Sequence, residues 1–539
     1  MRVRNEIKLN MEKIILRKII SEMSLEEKIG QMFQVGFNGT IVTPDIKELI
    51  EDYCVGGIIY FRRNIESLKQ VSALSNELQI LSINNRPNLP LIISTDQEGG
   101  MVNRLIGGTH FPGNMLMGAT RQPGVVEKAG RAIAGELKAV GINMDFAPVL
   151  DVSNNPLNIV IGTRSFGGEP LLVANMGVAF IKGMQKEGII ACAKHFPGHG
   201  DTAGDSHLDL PVIECNKERL EKVEIYPFRA AINEGVDSIM TAHIYVPALE
   251  SRKGIPATLS YSILTDLLRG KLGYTGIIIT DCLEMKAVAD NFGTAEGSVM
   301  AIEAGVDMVL ISHSLDKQKA AIEATVEAVK KGRITEERIN QSVLRILGLK
   351  ERRIGLESLP ISDYRKINKE RDEKVAYEIS KAGVTLVKDE DNLIPVNISN
   401  NKKILVIDLP LKRLSPAEDD MENNNLFVDF LRQEGIKVEN KTILEDDREI
   451  SIPERIDLAI VCSFGAIFNT CQVKIIEKLQ SSGIPFIVLS NNPYDLQVFP
   501  EVPTFLTIYD YSPFNLKVAS EIIAGRYKAQ GVLPVNLKI

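Results

Sequence analysis

The chain has 539 residues but no tryptophan, and its net charge is −8, from 62 lysines and arginines against 70 aspartates and glutamates. Long polymeric ligands are usually bound on aromatic surfaces, for which tryptophan offers the largest side chain, so its absence favours a pocket for a small ligand. Nucleic-acid phosphates and anionic membranes need a basic protein face, so neither partner is expected for an acidic chain.

Long apolar runs and paired cysteines are also absent. No run reaches the roughly 18 apolar residues of a membrane-spanning helix. The basic segment 1–20 lacks the apolar core of about 7–15 residues that a signal peptide needs. The six cysteines are scattered without a CxxC pair, which is typical of reduced thiols. The sequence therefore predicts a cytoplasmic protein without a membrane anchor.

The chain does contain a regular alternation of short apolar runs and helical periods between residues 30 and 312. The apolar runs are 32–37, 57–61, 91–95, 143–147, 190–193, 238–243, 276–280 and 307–312. Eight strands, each followed by a helix, predict an α/β fold of the (β/α)8 TIM-like barrel type, with an open doubly wound sheet as the rival. Polar residues recur where these runs end, and in a barrel the strand ends share one mouth. They are Asp96, Asp151, Lys194, His195, His243, Asp281 and His313.

Three segments divide the chain. The prediction assigns residues 1–352 to the barrel, 353–375 to a charged, proline-containing linker, and 376–539 to a smaller C-terminal α/β sandwich domain. The second domain has no phosphate-binding glycine fingerprint, so no nucleotide site is expected there. Its polar stretches, 418–425 and 445–449, are interpreted as loops with a structural role only.

The most informative segment is KHFPGHGDTAGDSH, at residues 194–207, directly after the fifth apolar run. It holds one lysine, three histidines and two aspartates among turn-forming proline and glycine residues. Three interpretations are open: a structural polar loop, a metal site built from the histidines and aspartates, or acid–base catalysis in which Asp205 orients His207. Spacing alone does not separate the metal site from the catalytic pair.

Motifs along the whole first domain bear on this choice. They are VGGIIYF at 55–61, DQEGG at 96–100, DFAPVLD at 145–151, IGTRSFG at 161–167, TAHI at 241–244, PATLS at 256–260 and TDCLEM at 280–285. Together with the 194–207 segment, this series resembles the β-N-acetylhexosaminidase branch of glycoside hydrolase family 3, in its two-domain form. The resemblance covers roughly residues 24–350 strongly and the C-terminal part more weakly.

The resemblance implies the catalytic groups. It places the nucleophile at Asp281, directly after the run 276–280; from position alone, Asp281 is equally suited to capping the next helix. It assigns the acid/base role to His207 with Asp205 as its partner, because in this branch a histidine replaces the second carboxylic acid that most glycosidases use. Histidine titrates near neutrality, so it can donate a proton and later accept one.

Substrate-binding roles also follow from the resemblance, with no metal and no cofactor. The residues expected to hold sugar hydroxyls and the acetamido group are Asp96, Arg104, Arg164, Lys194 and His195. Two positions depart from the family pattern: Met101, where a basic residue is common, and Cys282, where an acidic or small polar residue is common. Both departures bear on leaving-group preference.

The predicted function is that of a retaining exo-β-N-acetylglucosaminidase. It would release terminal N-acetylglucosamine from short oligosaccharides, or from muropeptide fragments in peptidoglycan recycling, through a covalent glycosyl-enzyme intermediate. A β-glucosidase, β-xylosidase or N-acetylglucosaminide phosphorylase of the same family is the alternative. Outside the family, the alternatives are a metal-dependent hydrolase using the 195–207 segment or a non-catalytic sugar-binding barrel. The only partner expected is a small oligosaccharide substrate, and the oligomeric state is left open.

Overall fold

The computed structural model describes residues 13–202, 210–357, 359, 361–397, 402–409, 413–419, 425–443 and 455–537. The first part of the chain contains eight parallel strands, which we number β1 to β8 in chain order. They are Phe33–Val35, Gly57–Ile59, Ile92–Thr95, Met144–Asp145, Ile190–Phe196, Ser238–Thr241, Ile277–Thr280 and Val309–Ile311.

These strands form a barrel. Their order across the sheet is β8-β1-β2-β3-β4-β5-β6-β7, and a parallel bridge between Ile279 of β7 and Met308, just before β8, brings the two edges together. Every strand residue is buried. Burial on both faces explains why the strands read as continuous apolar runs rather than alternating ones. The predicted barrel is confirmed, and the open doubly wound sheet is wrong.

Helices follow the strands and cover the outside of the barrel. They are 13–22, Leu25–Gly30, Pro44–Glu51, Leu68–Asn84, Asn114–Ala119, Pro123–Ala139, Pro170–Lys186, Lys217–Lys222, Tyr226–Glu234, the π-helix Ser262–Lys271, Lys286–Ala289, Thr294–Ala304, Leu315–Lys330 and Glu336–Arg353. Several begin at favourable residues: Ser24 accepts a hydrogen bond from the Glu27 amide at 3.1 Å, and Pro123 opens its helix. Within the described part of the chain, no helix is long and apolar enough to cross a membrane.

The second part of the chain folds around a separate six-stranded sheet. Its strands, β9 to β14, are Thr385–Asp389, Ile404–Asp408, Val438–Thr442, Leu458–Ser463, Phe486–Ser490 and Thr504–Thr507. The order is β9-β14-β13-β12-β10-β11, with β9 antiparallel to β14 and the other pairs parallel. The helices of this unit are Lys369–Gly383, Leu426–Gln433, Thr470–Ser482 and Pro513–Ile523. The predicted second α/β domain is confirmed.

One strand of this sheet has no apolar run in the sequence. Strand β11 is an edge strand with the sequence VENKT, and only Val438 in it is buried. An edge strand needs no continuous apolar run, and charged side chains on it discourage pairing with other molecules. Its pattern therefore looks like that of a polar loop.

The two units share an extensive contact. The helix Lys369–Gly383 begins inside the stretch predicted as a linker and packs against both the barrel helix Pro123–Ala139 and the helix Pro513–Ile523. Near the end of the chain, the Val532 amide donates a hydrogen bond to the Ala119 carbonyl of the barrel unit at 2.9 Å. The boundaries at 352 and 376 stay predictions.

Candidate active site

A pocket of 580 Å³ opens at the carboxyl ends of the barrel strands. This volume lies within the range of small-molecule sites, about 300–1,000 Å³. Six of the predicted site residues line it: Asp96, Arg104, Arg164, Lys194, His195 and Asp281. The other two, Asp205 and His207, lie outside the described residues.

The pocket residues are brought together by barrel topology. Lys194 and His195 lie near the carboxyl end of β5, Asp96 follows β3, and Asp281 follows β7. A short antiparallel hairpin, Gln97–Gly99 with Val102–Asn103, begins after Asp96 and carries the chain toward Arg104. Because parallel strands place their carboxyl ends on one face, residues far apart in sequence meet there.

Four charged side chains form a buried network in the floor of this pocket. Lys194 Nζ lies 2.7 Å from Asp96 Oδ1 and 2.6 Å from Glu98 Oε1. Arg164 holds the same Glu98 carboxylate with two nitrogens, Nε at 2.9 Å and Nη2 at 2.7 Å. Buried charges are tolerated only when they are paired and hydrogen-bonded, and this arrangement satisfies both conditions.

The charge states in the network follow from the balance of burial and pairing. Burial would raise the pKa of Glu98, but the charges of Arg164 and Lys194 and their hydrogen bonds outweigh it and hold that pKa well below its usual range. Burial would lower the pKa of Lys194, and the carboxylates of Asp96 and Glu98 more than reverse this. Burial would also lower the pKa of Arg164, but the Glu98 charge outweighs this effect and the pKa is raised. Glu98, Lys194 and Arg164 therefore stay charged near neutral pH.

An Asp–His pair lies beside this network. Asp151 Oδ2 is 2.7 Å from His195 Nδ1, and its Oδ1 accepts the backbone amides of His195 at 3.2 Å and His199 at 2.6 Å. Burial would raise the pKa of Asp151, but the His195 charge and hydrogen bond lower it below its ordinary value. The carboxylate thus fixes the orientation of the His195 ring, a contact that the sequence analysis did not anticipate.

The described part of the 194–207 segment is held by the protein itself. His199 Nδ1 lies 2.9 Å from Thr202 Oγ1, and burial lowers the pKa of His199 to about 4, so its ring is neutral at neutral pH. Asp201 pairs with Arg219 at 2.7 Å. Gly200 passes so close to Val152 that a Cβ atom would lie 1.9 Å from the Val152 carbonyl oxygen. Each side chain considered as a metal ligand in residues 194–202 therefore already contacts a protein group.

Asp281 occupies the loop after β7. Its Oδ1 accepts the Cys282 amide at 2.7 Å. The next helix, Lys286–Ala289, has Met285 as its N-cap residue, so the alternative role of Asp281 as its cap is wrong. His243 steadies this loop, because its Nε2 donates to the Cys282 carbonyl at 3.0 Å while Nδ1 faces Thr258 Oγ1 at 2.7 Å. A carboxylate held at a strand end on the pocket wall suits nucleophilic attack.

Close to Asp281, three side chains are near enough to one another to hold an ion. They are Cys282, Glu284 and His313, the one such group among the residues that the structure describes. The Glu284 carboxylate already accepts the backbone amides of Ser312, His313 and Ser314 at 2.6–3.1 Å. It therefore organises the turn after β8, and we assign it that structural role.

Sequence reasoning placed Asp151 at the barrel mouth without a role and missed two other contributors to the site. Glu98 lies inside the motif DQEGG, where an acidic residue two positions after a strand-end aspartate is a signal that could have been used. The second missed contributor is the segment 413–419. The interpretation of 418–425 as a purely structural loop needs correction, because Glu418 and Asp419 line the pocket and Asp419 pairs with Arg104.

The buried network predicts a large stability effect. Glu98→Gln is expected to lower the free energy of unfolding by about 3–5 kcal/mol, because Arg164 and Lys194 would remain buried with less compensating charge. The pKa of Glu98 is lower in the folded state, so its contribution is complete above the unfolded pKa of about 4.3 and fades at lower pH. Urea unfolding of both proteins at neutral pH and near pH 3.5 measures this, and the difference should shrink at the lower pH.

The matched control is Glu218→Gln, which removes an exposed ion pair with Lys222. Exposed pairs contribute little, so no measurable change is expected there. Equal stability of the Glu98→Gln variant and the wild type would contradict the view that the network is strongly coupled.

Comparison with known proteins agrees with this geometry. A curated relative named β-hexosaminidase A, from Pseudoalteromonas piscicida, is 33% identical over 549 residues, covering 92% of each chain. A relative named β-N-acetylglucosaminidase/β-glucosidase, from Cellulomonas fimi, is 29% identical over 550 residues, covering 97% of this chain and 95% of the relative. The solved structure of a glycoside hydrolase family 3 β-N-acetylglucosaminidase from Paenibacillus sp. str. FPU-7 matches with a TM-score of 0.88 at 40% identity, covering 96% of this chain and 99% of that chain.

The family described as "Glycosyl hydrolase family 3 N terminal domain" matches residues 24–349, which contain all eight barrel strands. The match covers more than half of the chain and contains every described residue of the pocket except those of the segment 413–419. The chain therefore belongs to glycoside hydrolase family 3.

Proposed function

We propose that this glycoside hydrolase is a retaining exo-β-N-acetylglucosaminidase that releases terminal N-acetylglucosamine from short oligosaccharides. The observation that carries the proposal is the pocket that Asp281 shares with the charged network of Asp96, Glu98, Lys194 and Arg164. Such a pocket combines a carboxylate at a strand end with fixed donors and acceptors for hydroxyl groups. Two relatives of similar length are named β-hexosaminidase A and a family 3 β-N-acetylglucosaminidase, which supports an activity on N-acetylhexosamines.

In the proposed first step, an Asp281 carboxylate oxygen attacks the anomeric carbon of the terminal sugar. The bond from that carbon to the leaving oxygen breaks, and an ester to Asp281 forms. The leaving oxygen takes a proton from His207, whose partner is Asp205. In the second step, His207 accepts a proton from water, which attacks the same carbon and releases the sugar and the carboxylate.

The charged network is proposed to hold the terminal sugar in place for these steps. Asp96 accepts hydrogen bonds from sugar hydroxyls, while Lys194 and Arg164 donate them. Because Asp151 accepts from His195 Nδ1, Nε2 is the ring nitrogen of His195 that is left to contact the sugar. Groups that are already fixed by Glu98 and Asp151 need no reordering when substrate binds, which lowers the entropic cost of the reaction.

The natural substrates proposed are muropeptide fragments, in a cytoplasmic recycling role. Besides the network, five further arginine and lysine side chains line the pocket: Arg62, Arg63, Arg104, Lys286 and Arg413. Basic groups near the bond to be cleaved favour a leaving group that carries a carboxylate. This supports a fragment with an acidic sugar or peptide over a neutral disaccharide.

A panel of nitrophenyl glycosides tests the proposal. We expect hydrolysis of the β-N-acetylglucosaminide with a kcat/KM well above that for the β-glucoside and β-xyloside. A carboxylate-bearing disaccharide fragment should be cleaved better than chitobiose. Repeating the assay with added phosphate separates hydrolysis from phosphorolysis, since only the latter yields a sugar 1-phosphate. Faster turnover of the glucoside would replace the proposal with the β-glucosidase alternative.

Metal removal tests the remaining alternative. The Asp–His mechanism predicts unchanged activity after exhaustive chelation and no stoichiometric zinc by elemental analysis. Loss of activity on chelation and its return on adding zinc would instead assign the 195–207 segment to a metal centre.

A further inference from the structure

The segment 413–419, which follows β10 in the second unit, lies against the active-site pocket of the barrel. It contributes Arg413, Pro416, Ala417, Glu418 and Asp419 to the pocket lining. The two chemical steps proposed above use none of these side chains, and only Arg413 was invoked for the preference for an acidic leaving group. The segment therefore brings part of the second domain to the site where the terminal sugar is proposed to bind.

The best-defined contact of this segment is with Arg104. Asp419 Oδ1 lies 2.5 Å from Arg104 Nη1, and the Ala417 carbonyl accepts from Arg104 Nη2 at 2.7 Å. The two side chains of the ion pair are only 9% and 10% exposed. Pairs with so little exposure are weakly screened by water and salt. The guanidinium of Arg104 is thus oriented by residues more than 300 positions away in sequence.

Backbone contacts fix the segment against the same hairpin. Asp419 Oδ2 accepts the Asn103 amide at 2.7 Å, and the Asp419 amide donates to the Met101 carbonyl at 2.9 Å. The Arg104 amide in turn donates to Gln97 Oε1 at 2.9 Å. Asp419 therefore ties the segment to the hairpin that carries Glu98, at the edge of the buried network.

Glu418 is the second carboxyl that the segment brings to the pocket. Its side chain is largely buried, and Oε2 accepts the Leu414 amide at 2.8 Å, which fixes the carboxyl group within the segment. Burial raises the pKa of Glu418 to about 7, and the Glu98 charge adds a smaller rise. The backbone hydrogen bonds with Leu414 and Ser415 and the Arg164 charge act in the opposite direction. A carboxyl group that is protonated in part of the molecules near neutral pH can donate to a sugar hydroxyl as well as accept from one.

We propose that the segment 413–419 is a specificity element of the active site: Asp419 positions Arg104 against the terminal sugar, and Glu418 binds a hydroxyl of that sugar. The proposal rests on the proposed glycosidase function and extends it, because it makes the second domain part of the substrate-binding site. Arg104 and Glu418 are binding residues in this scheme, and Asp419 is a positioning residue.

A double-mutant cycle tests the role of Asp419. The variants are Asp419→Asn, Arg104→Met and the double variant, assayed with the nitrophenyl β-N-acetylglucosaminide. Each single change should raise KM about 10- to 100-fold with a smaller change in kcat, since a displaced guanidinium no longer meets the sugar. The double variant should be no worse than Arg104→Met, because Asp419 acts through Arg104.

A matched control removes an aspartate of the same domain that lies away from the pocket. Asp429→Asn alters an exposed residue of the helix Leu426–Gln433 that pairs only loosely with Arg432, at 3.4 Å. Its KM should equal that of the wild type. Independent, multiplying effects of Asp419→Asn and Arg104→Met, or an unchanged KM in Asp419→Asn, would overturn the positioning role.

A pH series tests Glu418. In the wild type, KM should vary with pH around neutrality through the protonation of Glu418. Glu418→Gln should reduce that variation to the part that His207 causes, while keeping KM within about a few-fold of the wild type. Glu418→Ala, which removes both donor and acceptor, should raise KM by at least about 10-fold. Wild-type KM values and an unchanged pH profile in both variants would overturn the binding role.

Calorimetric binding of free N-acetylglucosamine separates this proposal from the proposed function. It needs no turnover, so it reports on the segment even if the natural reaction is different. Affinity should fall in Asp419→Asn and Glu418→Ala and remain in Asp429→Asn. Equal affinity in all four proteins would overturn the role of the segment alone. Measurable affinity with no hydrolysis of any glycoside would instead count against the proposed function alone.

Discussion

Asp281→Asn is expected to lower kcat for the nitrophenyl β-N-acetylglucosaminide by at least about 1,000-fold while the protein remains folded. Asparagine has nearly the same size, so the loop after β7 can keep its contact to the Cys282 amide. The amide oxygen is a far weaker nucleophile than a carboxylate, so the ester to the sugar cannot form at a useful rate. Steady-state kinetics with a circular-dichroism melt measures both effects.

Asp290→Asn is the matched control for this change. It makes the same substitution nine residues further along the chain, at the exposed end of the helix Lys286–Ala289. Its kcat should be that of the wild type. An Asp281→Asn variant that turns over at close to the wild-type rate would rule out Asp281 as the nucleophile.

The second large effect is expected from His207→Ala, and its size should depend on the leaving group. A sugar leaving group needs protonation as its bond breaks, so kcat/KM for a natural disaccharide should fall by about 100- to 10,000-fold. Nitrophenolate departs without a proton, so its glycosylation step should be much less affected. Comparing kcat/KM for the two substrates in the wild type and the variant measures the difference.

Azide distinguishes the second role of His207. Without a base to activate water, hydrolysis of the ester should slow, and the small anion azide needs no deprotonation to attack it. Azide should therefore raise kcat of His207→Ala on the nitrophenyl substrate and leave the wild type unchanged. Asp205→Ala should give a milder form of the same pattern. Equal losses on both substrates without azide rescue would assign His207 to sugar binding or structure.

The barrel could be predicted because its strands carry a signal that is local in sequence. Seven of the strands β1 to β8 lie within an apolar run, and β5 begins in the run 190–193 and extends to Phe196; all eight are buried on both faces. Strand β11 could not be predicted in the same way, because it lies at a sheet edge and exposes most of its side chains. An apolar run arises because a strand is buried, so a strand that is mostly exposed has no such run in its sequence.

Some residues of the candidate site could also be predicted from apolar runs, and others could not. Asp96, Lys194, His195 and Asp281 directly follow or end apolar runs, so their convergence follows from barrel geometry. The tight pairing of Asp151 with His195 depends on two different strand ends, and no local pattern specifies it.

Sequence patterns could not predict that the second domain lines the pocket, for a further reason. Asp419 and Arg104 are 315 positions apart, and their contact depends on how the two units pack. A polar stretch that folds onto a pocket looks, in sequence, like any solvated loop. Only the three-dimensional arrangement shows that Glu418 and Asp419 face the site.

The most direct test of the central claim is to trap the glycosyl-enzyme and locate it. A 5-fluoro-N-acetylglucosaminyl fluoride has a good leaving group, and its ring fluorine destabilises the positively charged transition states, so the intermediate should accumulate. Peptide mass spectrometry should then find one added N-acetyl-fluoroglucosaminyl group on Asp281, with none on the Asp281→Asn variant. A label on another carboxylate, or inactivation without any covalent sugar, would contradict a retaining mechanism through Asp281.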